Sequence, residues 1–129
     1  MLNQPKDIRT KFMHKYIPLE IKAENRGLIN SLDKKVKILG IVEGGCPDTQ
    51  NFLPMLEKLI STNPNIELKL LTRDYLNGEL QQFEIDGKVK LPTFIFMDEE
   101  YGIKGAFVEK PKEDVEAELT VLILSAKGV

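Results

Sequence analysis

The chain has no tryptophan, and cysteine and histidine occur once each, as Cys46 and His14. A lone cysteine excludes an intramolecular disulfide, so the fold must stand on its apolar core, and the pattern suits a reducing compartment. One cysteine and one histidine fall short of a zinc centre by at least two ligands, and no cluster in the sequence supplies them. Long apolar runs are missing too: none approaches the roughly 18 residues of a membrane-spanning helix. Neither sign of charge dominates. Lys and Arg number 18 against 20 Asp and Glu, a formal net charge of −2, which gives no long-range attraction to nucleic acid or anionic membrane. The opening MLNQPKDIRTKFMHKY has no apolar signal core and no small-residue cleavage site, so the expectation is a cytoplasmic protein. Repeats and low-complexity stretches are absent.

What is present reads as one α/β domain, residues 1–129. Hydrophobic residues make up 42% of the chain, enough for a core that needs no staples. Residues 1–34 predict a helical extension in two pieces divided by Pro18. Ile8, Phe12 and Tyr16 are spaced by four, and Ile21, Leu28, Ile29 and Leu32 share a face of the second piece. From residue 35 to 127 the pattern is more regular. Val36 to Val42 (VKILGIV) is a near-continuous apolar run, as a strand buried on both faces requires. Phe52, Leu53, Leu56, Leu59 and Ile60 predict a helix with Pro54 inside it, ended by Asn63-Pro64-Asn65. Ile66 to Leu71 reads as a second strand. Leu76, Leu80 and Phe83 predict a second helix, stopped by Asp86-Gly87. Thr93 to Met97 and Ile103 to Val108 read as two strands reversed at DEEYG. Pro111 suits the first position of a last helix, striped by Val115, Leu119, Leu122, Ile123 and Ala126. The order is two helices, then β-α-β-α-β-β-α. A parallel pair at the start and an antiparallel hairpin at the end make a central mixed four-stranded sheet, covered by helices on both faces.

Chemistry concentrates in Glu43-Gly44-Gly45-Cys46-Pro47-Asp48-Thr49. A strand ends, two glycines turn the chain, and a helix opens near Pro47. At a helix N-terminus, unpaired N–H groups and the positive end of the macrodipole favour a thiolate, the nucleophilic form. Asp48 opposes this by charge repulsion. A free cysteine is more often inert core filler, but a side chain that follows paired glycines and opens a helix is poorly placed for a core. The second feature is Lys90-Leu91-Pro92-Thr93, directly before the third strand, where proline by itself says only that a strand begins.

Together these residues resemble the thioredoxin family. Cys46-Pro47-Asp48-Thr49 lies where that family has C-x-x-C, Pro54 where its active-site helix is kinked, and Pro92 where a cis-proline faces the reactive loop. The resemblance spans residues 35–127 and is nearest to small bacterial thioredoxin-like proteins with a W-C-x-D loop. It implies the thioredoxin fold, with Cys46, Thr49 and Pro92 as the reactive set and Gly45, Pro47, Asp48, Leu91 and Thr93 as the groove for a substrate. Three departures stand out. Thr49 replaces the resolving cysteine, so no two-cysteine cycle can run within one chain. Gly45 stands where tryptophan is usual. Gly40 holds the place of a buried acid that assists proton transfer.

Two functions follow as expectations. The first is monothiol thiol–disulfide exchange, in which Cys46 forms a mixed disulfide with a low-molecular-weight thiol or a protein, and Thr49 donates a hydrogen bond to the thiolate. The second is a redox-inactive binding module whose Cys46/Pro92 groove holds an extended protein or peptide partner. Neither calls for a cofactor or a metal, and neither fixes an oligomeric state. His14 reads as a surface residue, Met55 and Met97 as core filler. Lys88, Lys90 and Lys104 read as solvated, and Asp98-Glu99-Glu100 as a turn.

Overall fold

Between Val36 and Val42 only Lys37 and Gly40 interrupt a run of branched apolar side chains, and such a run needs cover on both faces. It forms β1 (Val36–Val42), the strand around which the sheet is built. The computed structural model of the chain describes residues 6–43, 45–72, 84–85, 88–89, 91–108 and 114–127. Before β1 come α1 (Lys6–Tyr16) and α2 (Ala23–Asn30); after it, α3 (Pro47–Ile60), β2 (Ile66–Thr72), β3 (Glu84–Ile85), β4 (Lys88–Val89), β5 (Thr93–Met97), β6 (Ile103–Val108) and α4 (Val115–Ser125).

The main sheet has the order β2-β1-β5-β6. β1 and β2 run parallel in unbroken register from Val36↔Ile66 to Val42↔Thr72. β5 pairs antiparallel with β1, and β6 antiparallel with β5. This is the mixed four-stranded sheet expected from the element order. Side chains alternate across it. Val36, Ile38, Phe94, Phe96 and Phe107 face a large core closed by Leu53, Leu56 and Leu59 of α3, Leu119 and Ile123 of α4, and Phe12 and Ile29 of the N-terminal helices. The opposite face carries a smaller cluster of Ile41, Leu91 and Ile95. No helix of the described residues is long and apolar enough to cross a membrane.

The structure departs from the sequence reading at three places. Leu28 is 43% exposed, while Asn25 is buried on the inward face of α2. Its side-chain amide donates to the carboxylate of Glu116, a partner 91 residues away. The second predicted helix, marked by Leu76, Leu80 and Phe83, lies outside the described residues. Its expected end does not hold, because Glu84–Ile85 pairs antiparallel with Lys88–Val89. Asp-Gly between two strand-like pairs is a hairpin signal in the sequence. α4 begins at Val115 with Asp114 as N-cap, its carboxylate accepting from the Ala117 amide at 3.1 Å; Pro111 lies outside the described residues.

Candidate functional site

The strand-to-helix turn carries the chain from the end of β1 into α3. β1 ends at Val42, Gly45 is exposed, and a Cβ added to it would touch nothing. Cys46 then takes extended angles, φ −79 and ψ 124, as N-cap of α3, and Pro47 occupies the first turn, where its missing N–H is no loss. The Cys46 amide donates to the Glu43 carbonyl at 3.0 Å, and its carbonyl accepts from Gln50 at 3.1 Å. The side chain does not cap the helix. The thiol instead donates to the Leu91 carbonyl oxygen at 3.8 Å.

That carbonyl precedes the Leu91–Pro92 bond, which is cis, as the family resemblance implies. The loop after β1 and the start of β5 therefore meet at the sulfur, although 45 residues separate them. The sulfur is half-buried and rests on Ile41, Leu91 and Ile95. The sequence reading expected little around it. Ile41 and Ile95 were legible only as strand residues, and their role as the floor under Cys46 comes from the pairing of β1 with β5.

The other sequence-derived residues divide by depth. Leu91, Pro92 and Thr93 are buried, whereas Gly45 and Pro47 are exposed and Asp48 is half-buried in the first turn of α3. Thr49 is fully buried. Its hydroxyl accepts a long contact, 3.5 Å, from the Glu43 amide, tying α3 to the end of β1. Gly40 is buried where a Cβ would come within 2.8 Å of Leu70 Cδ2 and 3.2 Å of Phe94 Cδ1, so the position has no room for an acid. His14 is exposed on the last turn of α1. Among the described residues no group of three His, Cys, Asp or Glu side chains is arranged to hold a metal ion.

A cleft of about 510 Å³ lies at the opposite end of the sheet, between the residues before β1 and those after β5. Its walls mix Lys34, Lys35 and Lys127 with Asp33, Asp98 and Glu99, and include neither Cys46 nor Pro92. The site that can do covalent chemistry is the sulfur at the N-terminus of α3, held against a backbone carbonyl beside a cis-proline.

The comparisons agree with this geometry. No curated protein matches the chain. A protein of unknown function from Pseudomonas aeruginosa has a similar structure, with a TM-score of 0.83 at 18% identity over 96% of this chain and 88% of that one. An HIV epitope scaffold gives 0.81 at 18% identity, over 95% of this chain and 88% of its own. The NTD_N/C domain of the alkyl hydroperoxide reductase AhpF from Enterococcus faecalis gives 0.63 at 18% identity, covering 98% of this chain and 55% of that one. At such identities the likeness is one of fold. The family comparison reaches further: a model described as thioredoxin matches residues 2–121, taking in α1 and α2 as well as the sheet and the cysteine turn, and on that match the chain belongs to the thioredoxin family.

Proposed function

We propose that the protein is a monothiol thioredoxin-like protein that exchanges disulfides through Cys46. The observation that carries this reading is the half-buried sulfur at the N-cap of α3, within 3.8 Å of the carbonyl preceding cis-Pro92. In the forward step the Cys46 thiolate attacks one sulfur of a disulfide, forms a mixed disulfide and expels the other sulfur as a thiolate. An external low-molecular-weight thiol then attacks the mixed disulfide, leaves with the substrate sulfur and regenerates Cys46. Electrons pass from the external thiol to the first disulfide with no net change in the protein. The first turn of α3 supplies N–H groups and partial positive charge for the attacking thiolate. The Leu91 carbonyl accepts from the resting thiol and is given up on ionisation. Gly45, Pro47 and Asp48 on one side, and Leu91 and Thr93 on the other, are the groove residues of this reading. Thr49 helps by fixing the first turn to β1 through the Glu43 amide.

Intact mass after incubation with oxidised low-molecular-weight thiols tests it. The protein is expected to gain one thiol adduct, reversible by reductant and absent in Cys46→Ser. A folded wild-type protein that stays unmodified would refute it. One observation favours a second reading, a binding module: the thiol is engaged with a backbone carbonyl, and no second cysteine exists to complete a cycle. In that case Cys46→Ser keeps partner binding intact, whereas trapping of a partner as a mixed disulfide would be lost under the first reading.

A further inference from the structure

β2 is an edge of the main sheet, with no partner on its outer side among the described residues. Its geometry fits one particular occupant. The Val36 amide donates to the Asn65 carbonyl at 3.0 Å. In a parallel ladder this fixes the alternation of everything that follows: Glu67, Lys69 and Leu71 turn their backbone groups toward β1, while Ile66, Leu68 and Leu70 turn theirs outward. The central outward residue is Leu68. An antiparallel two-fold axis at Leu68 makes Leu68 of two copies a hydrogen-bonded pair, each amide donating to the other's carbonyl. On either side the same axis sets Glu67 opposite Lys69 of the second copy, and Lys69 opposite Glu67. Both side chains are exposed. They fall in the non-hydrogen-bonded pair, where side chains approach most closely. Glu67 would then sit between Lys37, its neighbour in the β1–β2 register, and Lys69 of the other copy. On the inner face, half-buried Leu68 and Leu70 gain cover.

We propose that β2 is a self-association edge, on which a second copy of this chain adds antiparallel about Leu68 to join two sheets into one. Charged side chains on an edge strand ordinarily deter pairing. Opposite charges placed symmetrically about a two-fold axis select for it. The other edge lacks this arrangement: β6 carries Lys104 and a register irregularity opposite Phe96 and Met97, the features that blunt an edge. The two-fold axis reverses β1 between copies, so the two Cys46 turns lie at opposite ends of the joint sheet. The dimer supplies no resolving thiol, and the proposal stands apart from the redox reading.

Sedimentation velocity in the Cys46→Ser background, over a roughly hundredfold concentration range reaching about 1 mM, reads the outcome directly. The dimer fraction is expected to rise with concentration. Glu67→Lys and Lys69→Glu each set like charges opposite one another and are expected to weaken association about tenfold, while the double swap Glu67→Lys/Lys69→Glu restores it. Leu68→Pro removes the central outward N–H without touching the bonds to β1 and is expected to abolish the dimer. Far-UV circular dichroism confirms that each variant is folded. A protein that stays monomeric throughout overturns the proposal, as does one that binds an extended peptide along β2 while remaining monomeric. A dimer indifferent to the charge swaps overturns it equally.

Discussion

Cys46 owes its setting to neighbours that have no reactivity of their own. Gly45 gives an open turn, Pro47 starts the helix, and the Leu91 carbonyl receives the thiol. Thr49 follows three residues on, one helical turn along α3. Replacing it by cysteine is expected to supply the resolving thiol that the chain lacks and to raise turnover in a thiol-driven insulin reduction assay. Wild-type activity equal to that of a dithiol thioredoxin would contradict the argument from Thr49. Gly40 is a residue whose importance is wholly steric. A methyl group there would press on Leu70 Cδ2 at 2.8 Å, a flexible end that can move, and on the ring of Phe94, which is fully buried and cannot. Gly40→Ala is expected to cost about 1–3 kcal/mol of unfolding free energy, measured by urea denaturation. Gly40→Asp is expected to cost more, because it adds an unpaired charge to the same space.

The hairpin between β5 and β6 shows how one carboxylate organises an element. Asp98 Oδ1 accepts from the amides of Glu100 at 2.9 Å and Gly102 at 2.8 Å. Lys104 lies 3.7 Å from its other oxygen. Tyr101 takes a positive φ of 66 between these two amides, which the turn imposes and the Asp98 contacts hold in place. The backbone bond from Gly102, ahead of the Glu100 bond and Lys104, keeps the Asp98 carboxyl below its ordinary value of 3.8. A depressed value means that the unfolded chain binds the proton more readily than the folded one. The stabilisation is therefore present above the ordinary carboxylate value and is lost as pH falls through the folded value. Asp98→Ala is expected to lower Tm at neutral pH and to make the loss of stability with acid shallower, as thermal melts from pH 7 to 2 would show. A variant with the wild-type Tm would show that the turn is set by its neighbours alone. In α3, Leu53 is fully buried on the face packed against the sheet. Leu53→Ala is expected to cost about 2–5 kcal/mol by urea denaturation.

The N-terminal helices are fastened to α3 and the loop after it by polar side chains that meet main-chain carbonyls near helix ends. Lys58 donates to the carbonyls of Tyr16 at 2.8 Å and Ile17 at 3.0 Å, closing α1. Arg26 does the same for α3 through the carbonyls of Leu59 and Lys58. Asn63, buried in the loop after α3, donates to the carbonyls of Ile29 at 2.7 Å and Leu32 at 3.0 Å. These carbonyls lie at or just beyond the ends of α1, α2 and α3, where the regular helical amide donor four residues on runs out. Asn63→Ala removes one of the donors to each carbonyl and the side-chain acceptor of the Asn65 amide, and is expected to lower stability by about 1–3 kcal/mol, read as a shift of the urea midpoint without a change in slope. An unchanged midpoint would mean that water replaces the amide without loss. The charge-paired edge at β2 belongs to the same scale, since it concerns how whole sheets meet.

The amino-acid sequence alone determined the strands of the main sheet, the cysteine turn, the place of Pro92 and hence the fold class. Those features are carried by patterns a few residues long: continuous branched runs for β1, paired glycines before a helix, proline before a strand. The helix expected to run to Asp86-Gly87 failed at its end because Glu84–Ile85 pairs as a strand with Lys88–Val89. Leu28 differs for another reason: hydropathy ranks it as an inward residue, yet it is exposed while Asn25 is buried, and Glu116, 91 positions from Asn25, supplies the partner that makes a buried amide tolerable. The partner of the Cys46 sulfur is a main-chain carbonyl, which every residue possesses and no side chain announces. Only the pairing of β1 with β5 brings it to the thiol, because the closeness of distant segments is decided by the packing of the whole sheet and not by any local pattern.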